Sequence, residues 1–340
     1  MSPDRFHAIT DRYARLRLGV IGDFCLDRYL EIDPARPEIS IETGLPVHNV
    51  VKVRSQPGGA GTILNNLVAL GVGDLTPVGF CGNDGEGFEL LRALHAMRNV
   101  RMTMFLHTPL RNTFTYTKPL IVKPGGAPME LSRLDMKNWT ETPESLQSAA
   151  VTAFNYFADH ADAVILLDQV DMPGTGVISR RLLESVRAVS KQKPGFPILA
   201  DSRRGLGNFP PVVFKMNATE LRALTGAKST PSIADTTHLA AELARQNQRC
   251  VFVTMAEQGI VGAAPDGQTE HVPALPVRGE IDIVGAGDSV TANLTAALAA
   301  GASLREAIEL ANAAASIVIH QLGTTGTASV AQLRTNLCGV

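Results

Sequence analysis

Short apolar runs recur along the chain at GVIG (19–22), AVILLD (163–168), PILAD (197–201), VVFKMN (212–217) and CVFVTM (250–255). Each has the length of a strand and lacks strict polar alternation, which predicts strands buried on both faces. Helical periodicity lies between most of them, as in Ser179 to Ser190 and Thr236 to Gln246. The order strand, helix, strand predicts a parallel sheet covered by helices, an α/β fold. Near the end, Ser303-Leu304-Arg305-Glu306 forms a capping box. Leu304, Ala307, Ile308, Ala311, Ala315 and Val318 follow on one helical face, and Gly323 is the expected stop.

Two regions, about 31–55 and 100–136, break this alternation. Ile39, Ile41, Val51 and Val53 alternate with polar residues, as do Phe114 and Tyr116 and, less strictly, Leu131 and Leu134. That pattern suits a sheet with one wet face, so a small β-sheet lid inserted into one α/β domain spanning 1–340 is expected.

Composition narrows the function classes. With 340 residues, 45% of them hydrophobic, the chain can bury a large core. Its 31 basic and 33 acidic residues nearly cancel, so no broad field favours nucleic acid or an anionic membrane. Cys25, Cys81, Cys250 and Cys338 are widely spaced, without the CxxC spacing of a zinc site or the density of a disulfide framework. The N-terminus is charged and no apolar run reaches membrane length, so a cytoplasmic protein is expected, with no nucleic-acid or membrane partner.

The candidate chemistry sits in two glycine-rich segments. In DIVGAGDSVTANLTAALAAG (282–301) the glycines open a helix. Backbone N–H groups of Gly285, Ala286, Gly287 and Asp288 in its first turn would offer a developing phosphate charge an anion hole. Beside that hole Asp288 could accept a proton from a substrate hydroxyl attacking a γ-phosphate; a plain helix cap is the other reading of the same carboxylate. In PGGAGTILNNLVALG (57–71), Gly58 and Gly59 would let a hydroxylated ligand approach the main chain, and Asn66 could bond sugar hydroxyls, or the segment is a structural helix start. Two further strings fail as phosphate loops. GAGTIL at Gly59 lacks the third glycine of a dinucleotide fingerprint, and GAKST at Gly226 lacks the upstream glycine of a P-loop.

Together the early GGA…N and late DxxGAGD segments resemble the two signatures of the ribokinase-like (PfkB) carbohydrate kinase family. GDFCLDRYL at Gly22, ISIETGLPV at Ile39, SRLD at Ser132, MNATEL at Met216 and LANAAASIVIHQLGT at Leu310 resemble its heptose 7-phosphate kinase branch. The resemblance implies a ribokinase-like three-layer, Rossmann-like core with a small inserted β lid, a homodimer through that lid, and ATP- and Mg²⁺-dependent phosphoryl transfer to a sugar or sugar phosphate, with a monovalent cation as a further expectation. It assigns Asp288 as base and Gly285, Ala286 and Gly287 as anion hole. Asp23, Asp27, Gly58, Gly59, Thr62 and Asn66 fall at the family's acceptor positions. Asn217 and Glu220 match its NxxE motif, implying magnesium bound largely through water, and Thr254, Glu257, Gly259 and Asn312 fall where the nucleotide binds.

Departures fall mainly on the sugar side. Thr62 replaces the usual Asn, Val284 the usual Thr, and DSRRG at Asp201 the DPKG of the heptose branch, although Arg203 and Arg204 could serve an anionic group of the acceptor or pair with acids. Ending near residue 340, the sequence is not expected to carry the nucleotidyltransferase domain of bifunctional heptose enzymes. A kinase for a free sugar or nucleoside, and a catalytically silent sugar or nucleotide sensor, are the alternative expectations.

Overall fold

The computed structural model describes residues 1–123, 125–126, 128–227 and 231–339, so the end of the GAKST string lies outside the described residues. Nine strands form the main sheet, in spatial order 269–272, 260–263, 251–254, 213–217, 198–202, 163–168, 17–22, 74–82 and 105–108. Seven pair in parallel; the hairpin Ile260–Ala263 and Thr269–Val272 closes one edge antiparallel.

Alternation along the central strands divides the core in two. Leu18, Val20, Ala163, Ile165 and Leu167 face one helical layer, which includes Ala60–Ala69, Ala286–Ala299 and Leu304–Val318. Ile21, Val164 and Leu166 face the other, which includes Glu144–His160, Arg180–Gln192 and Ile233–Asn247. Because successive side chains of a strand point to opposite faces, a run apolar at every position requires cover on both sides.

The capping box at Ser303 forms as expected, but the helix ends at Val318 with Ile319 as cap. Gly323, expected as the stop, lies beyond it in the following loop with φ +70°.

A second sheet, ordered 134–136, 114–121, 24–32 and 50–59, with Met129–Glu130 paired to the 114–121 strand, stands beside the main one. Its limits correct the expected lid boundaries. The first lid strand begins at Phe24, not Glu31, and Phe105–Thr108 pairs with Asp74–Gly82 in the main sheet. Apolar alternation cannot distinguish an edge strand of the core from a strand of the lid, which explains the misplacement at 100–113. The chain crosses between the sheets at Asp23, the single residue separating strand Arg17–Gly22 from strand Phe24–Ile32.

Candidate active site

The helix Ala286–Ala299 is buried along most of its length and starts at the C-terminal ends of the central parallel strands. Gly285 caps it in the left-handed region, φ +82°, a conformation that costs glycine little. The preceding turn is fixed by Asp282, whose carboxylate accepts from the N–H groups of Val284 (3.0 Å) and Gly323 (3.2 Å). One member of the expected anion hole is otherwise engaged, since the Ala286 N–H donates to the Ile283 carbonyl (3.2 Å). The N–H groups of Gly285, Gly287 and Asp288 find no acceptor among the described residues.

Beneath this turn lies a charged floor. The Lys215 ammonium, nearly buried, donates to Asp201 Oδ2 (2.7 Å), and Thr291 Oγ1 of the helix donates to the same oxygen (2.8 Å). A Cβ on Gly287 would come within 3.2 Å of Lys215 Nζ, so the bare backbone there is what admits the ammonium. The Asp288 carboxylate is half-exposed yet closely walled and accepts no hydrogen bond from the described residues. Poor hydration, with the Asp201 and Asp27 charges nearby, pushes it up to about 7 against the pull of Lys215. A carboxylate with that proton affinity is suited to general base work near neutral pH.

Asp27 approaches from the lid. Its carboxylate lies so close to Gly58 that a Cβ there would meet Oδ2 at 2.5 Å and Cys25 Sγ at 2.7 Å. Burial raises the proton affinity of Asp27, opposed by Lys118 and Arg133. Asp27 and Asp288 both act on the buried Cys25 thiol, which burial holds well above its ordinary value, so the two carboxylates lie near one another.

Asn217 and Glu220 form a full capping box. The Glu220 N–H donates to Asn217 Oδ1 (2.9 Å) and the Asn217 N–H to Glu220 Oε2 (2.7 Å). Glu220 Oε1 accepts no hydrogen bond among the described residues; burial and, less strongly, Asp201 raise the proton affinity of the carboxyl against the Asn217 N–H and Lys215. Thr254 ends the neighbouring strand in register with Asn217. Glu257 lies in the turn 256–258, and Gly259 follows at φ +93°, where a Cβ would strike the Val272 carbonyl at 2.0 Å; its glycine is required by the hairpin itself. The Asn312 amide donates to the Pro273 carbonyl (2.5 Å), tying the last long helix to the strand edge.

Four expected acceptor residues are packed against the protein itself. Asp23, 1% exposed, accepts from the N–H groups of Gln169 (2.8 Å), Val170 (3.2 Å) and Val177 (2.7 Å), so its carboxylate clamps the 169–177 loop to the sheet junction. Burial pushes it up to about 6 despite those three donors. Gly59 lies against the same junction, at φ +57°, where a Cβ would meet the Asp23 carbonyl at 2.5 Å. Asn66 is fully buried and donates to the Thr62 and Gly326 carbonyls, and Thr62 is buried against Gly285. Helical geometry turns Thr62 and Asn66, four residues apart, inward on one face. Arg204 is held by Asp168 (2.8 and 2.9 Å), and Arg203 meets Asp171 at 3.3 Å, so the pairing reading holds for both.

The sequence reading missed Lys215, Asp201 and Thr291. A signal was present, since Lys215 interrupts the apolar run VVFKMN, and a charge in a strand buried on both faces needs a partner.

Similarity to known proteins accords with this geometry. Residues 210–331 match the description "pfkB family carbohydrate kinase". The curated "Bifunctional protein HldE" of Magnetococcus marinus is 32% identical over 94% of this chain and 63% of its own length, and that of Paramagnetospirillum magneticum 30% identical over 93% and 63%. The chain thus spans under two thirds of these relatives. Among solved structures, phosphofructokinase-2 from Escherichia coli superposes with TM-score 0.73 at 21% identity, covering 94% of this chain and 98% of that one. Arabidopsis thaliana ribokinase superposes with TM-score 0.67 at 20% identity, covering 93% and 95%. The fold is ribokinase-like, and the resemblance drawn from the two glycine-rich motifs is borne out.

Proposed function

We propose that this chain transfers the γ-phosphoryl group of ATP to a hydroxyl of a sugar phosphate, with Asp288 as general base. The observation that carries the reading is the juxtaposition, on one helix turn, of a poorly hydrated carboxylate and main-chain N–H groups that have no hydrogen-bond partners among the described residues. An acceptor hydroxyl between Asp27 and Asp288 would be oriented by the first and deprotonated by the second, while the N–H groups of Gly285, Gly287 and Asp288 receive the charge developing on the transferred group.

Three carboxylates, Asp201, Asp288 and Glu220, surround the single ammonium of Lys215, a floor that repels polyphosphate unless a cation accompanies it. Among the described residues no group of three or more acidic, His or Cys side chains could hold a metal. Magnesium would therefore be held mainly by the nucleotide and water, with Glu220 Oε1 reaching it through water, and it would neutralise phosphate charge. Chelation should abolish turnover, and added Mg²⁺ restore it.

A phosphorylated acceptor is favoured by two lid cations beside Asp27. Lys118, over the Tyr29 ring at 5.2 Å, has no carboxylate partner among the described residues, and Arg133 lies over Tyr116 at 5.1 Å while bonded to Asp135. Turnover of a panel of sugars and sugar phosphates with ATP tests this. Heptose 7-phosphate-like acceptors should react best, and Lys118→Ala should raise their KM about tenfold or more with kcat little changed. Equal activity on free sugars, insensitive to Lys118→Ala, would favour the free-sugar or nucleoside kinase.

The lid also presents Ile39, Leu45, Val51, Val53, Met129 and Leu134, each about half exposed or more, as an apolar surface for a second copy of the chain. Sedimentation should show a dimer that Val51→Asp with Val53→Asp converts to monomer; an unaltered dimer would place the interface elsewhere.

A further inference from the structure

Lys215 occupies an unusual place for a lysine, inside a strand covered on both faces, with 6% of its surface exposed. Of its three ammonium protons one is taken by Asp201, and the ammonium lies against the backbone of Gly287, one residue before the base. Asp201, at the end of the adjacent strand, also accepts from Thr291, one turn into the helix that carries Asp288. A single buried ion pair thus connects two strand ends to the first turn of the active-site helix. We propose that Lys215 is the positioning residue of the base: its ammonium balances the acidic floor beneath Asp288, and through Asp201 it fixes the helix turn from which Asp288 acts. This rests on the reading of Asp288 as general base.

The charged groups facing Asp288 come from several elements. Asp201 and Asp27 favour its protonated form and Lys215 its ionised form; Glu220, on the helix after the Lys215 strand, acts on Lys215, and Asp288 itself acts on the Cys25 thiol. The Lys215 ammonium is held in a buried ion pair with Asp201 at 2.7 Å. A buried cation retained among three acids for packing alone would be costly, because desolvation of an ion pair offsets much of its attraction.

Opposite charges acting on one carboxylate make an opposed pair of variants diagnostic. The test follows the titration midpoint of Asp288 by carboxyl carbon NMR, assigned by its loss in Asp288→Asn, alongside the acid limb of kcat/KM. Lys215→Met should raise the midpoint from about 7 by about one unit or more, and activity should recover as pH rises toward 9. Asp201→Asn should lower it, Lys215→Met with Asp201→Asn should return it close to the wild-type value, and Lys215→Arg should leave it there. Thermal unfolding of each variant identifies any that fail to fold, and Lys215→Arg and the charge-neutral double variant keep the test open if a single variant does.

Shifts in the same direction, or activity lost at every pH with the midpoint unmoved, would overturn the proposal and point to a direct phosphate contact. The NMR midpoint needs no turnover, so absence of kinase activity in the wild-type protein would count against the function, whereas an unmoved midpoint would count against Lys215 alone.

Discussion

Asp288→Asn should lower kcat at least about a hundredfold while leaving ATP affinity nearly unchanged. Removing a general base withdraws a step worth about 10²–10⁴ in rate. The amide is isosteric and cannot take the proton. The unpaired N–H groups of the same turn belong to the backbone and persist in the variant, so the anion hole keeps its donors. Binding and chemistry therefore separate at this residue, and single-turnover kinetics with nucleotide titration by calorimetry read each in turn. Retained turnover would remove Asp288 from the role of base; a large loss of ATP affinity would make it a ligand of the nucleotide site.

Asp23→Ala should instead act on stability. Its carboxylate is the shared acceptor of the Gln169, Val170 and Val177 N–H groups at the point where the chain leaves the main sheet for the lid. Truncation leaves those three donors without their acceptor, at about 1–3 kcal/mol for each that stays buried and unpaired. A loss of about 3 kcal/mol or more in urea unfolding is expected, with the acceptor KM of the folded fraction changed far less than in Lys118→Ala. An unfolding midpoint equal to wild type, with acceptor binding lost, would restore Asp23 to the sugar site.

The contrast between these two aspartates marks the limit of what residue patterns convey. Asp288 follows a glycine turn that opens a helix, and local backbone geometry alone suits such a turn to an anion, so the chemistry proposed for it is readable from a handful of neighbouring residues. Asp23 and Asp27 belong to one short motif and look equivalent in it. Only the crossing from one sheet to the other, and a loop about 150 residues away in sequence, turn the first inward onto backbone donors and leave the second beside Gly58. Thr62 and Asn66 sit in a helix whose amphipathic face was legible, yet their inward orientation depended on packing against Gly285 and Gly326, far along the chain.

By itself the sequence determined the parallel α/β core, the capped helices and the turn bearing Asp288, because strand burial, helix caps and glycine conformations are set by near neighbours and leave periodic or positional marks. Tertiary structure alone decided how polar residues such as Asp23 and Asn66 are turned, where the lid begins, and that Lys215, Asp201 and Thr291 meet beneath the turn of Asp288. Those contacts join strands and helices distant in sequence, and their energies depend on burial and on the charges around them, which no local pattern encodes.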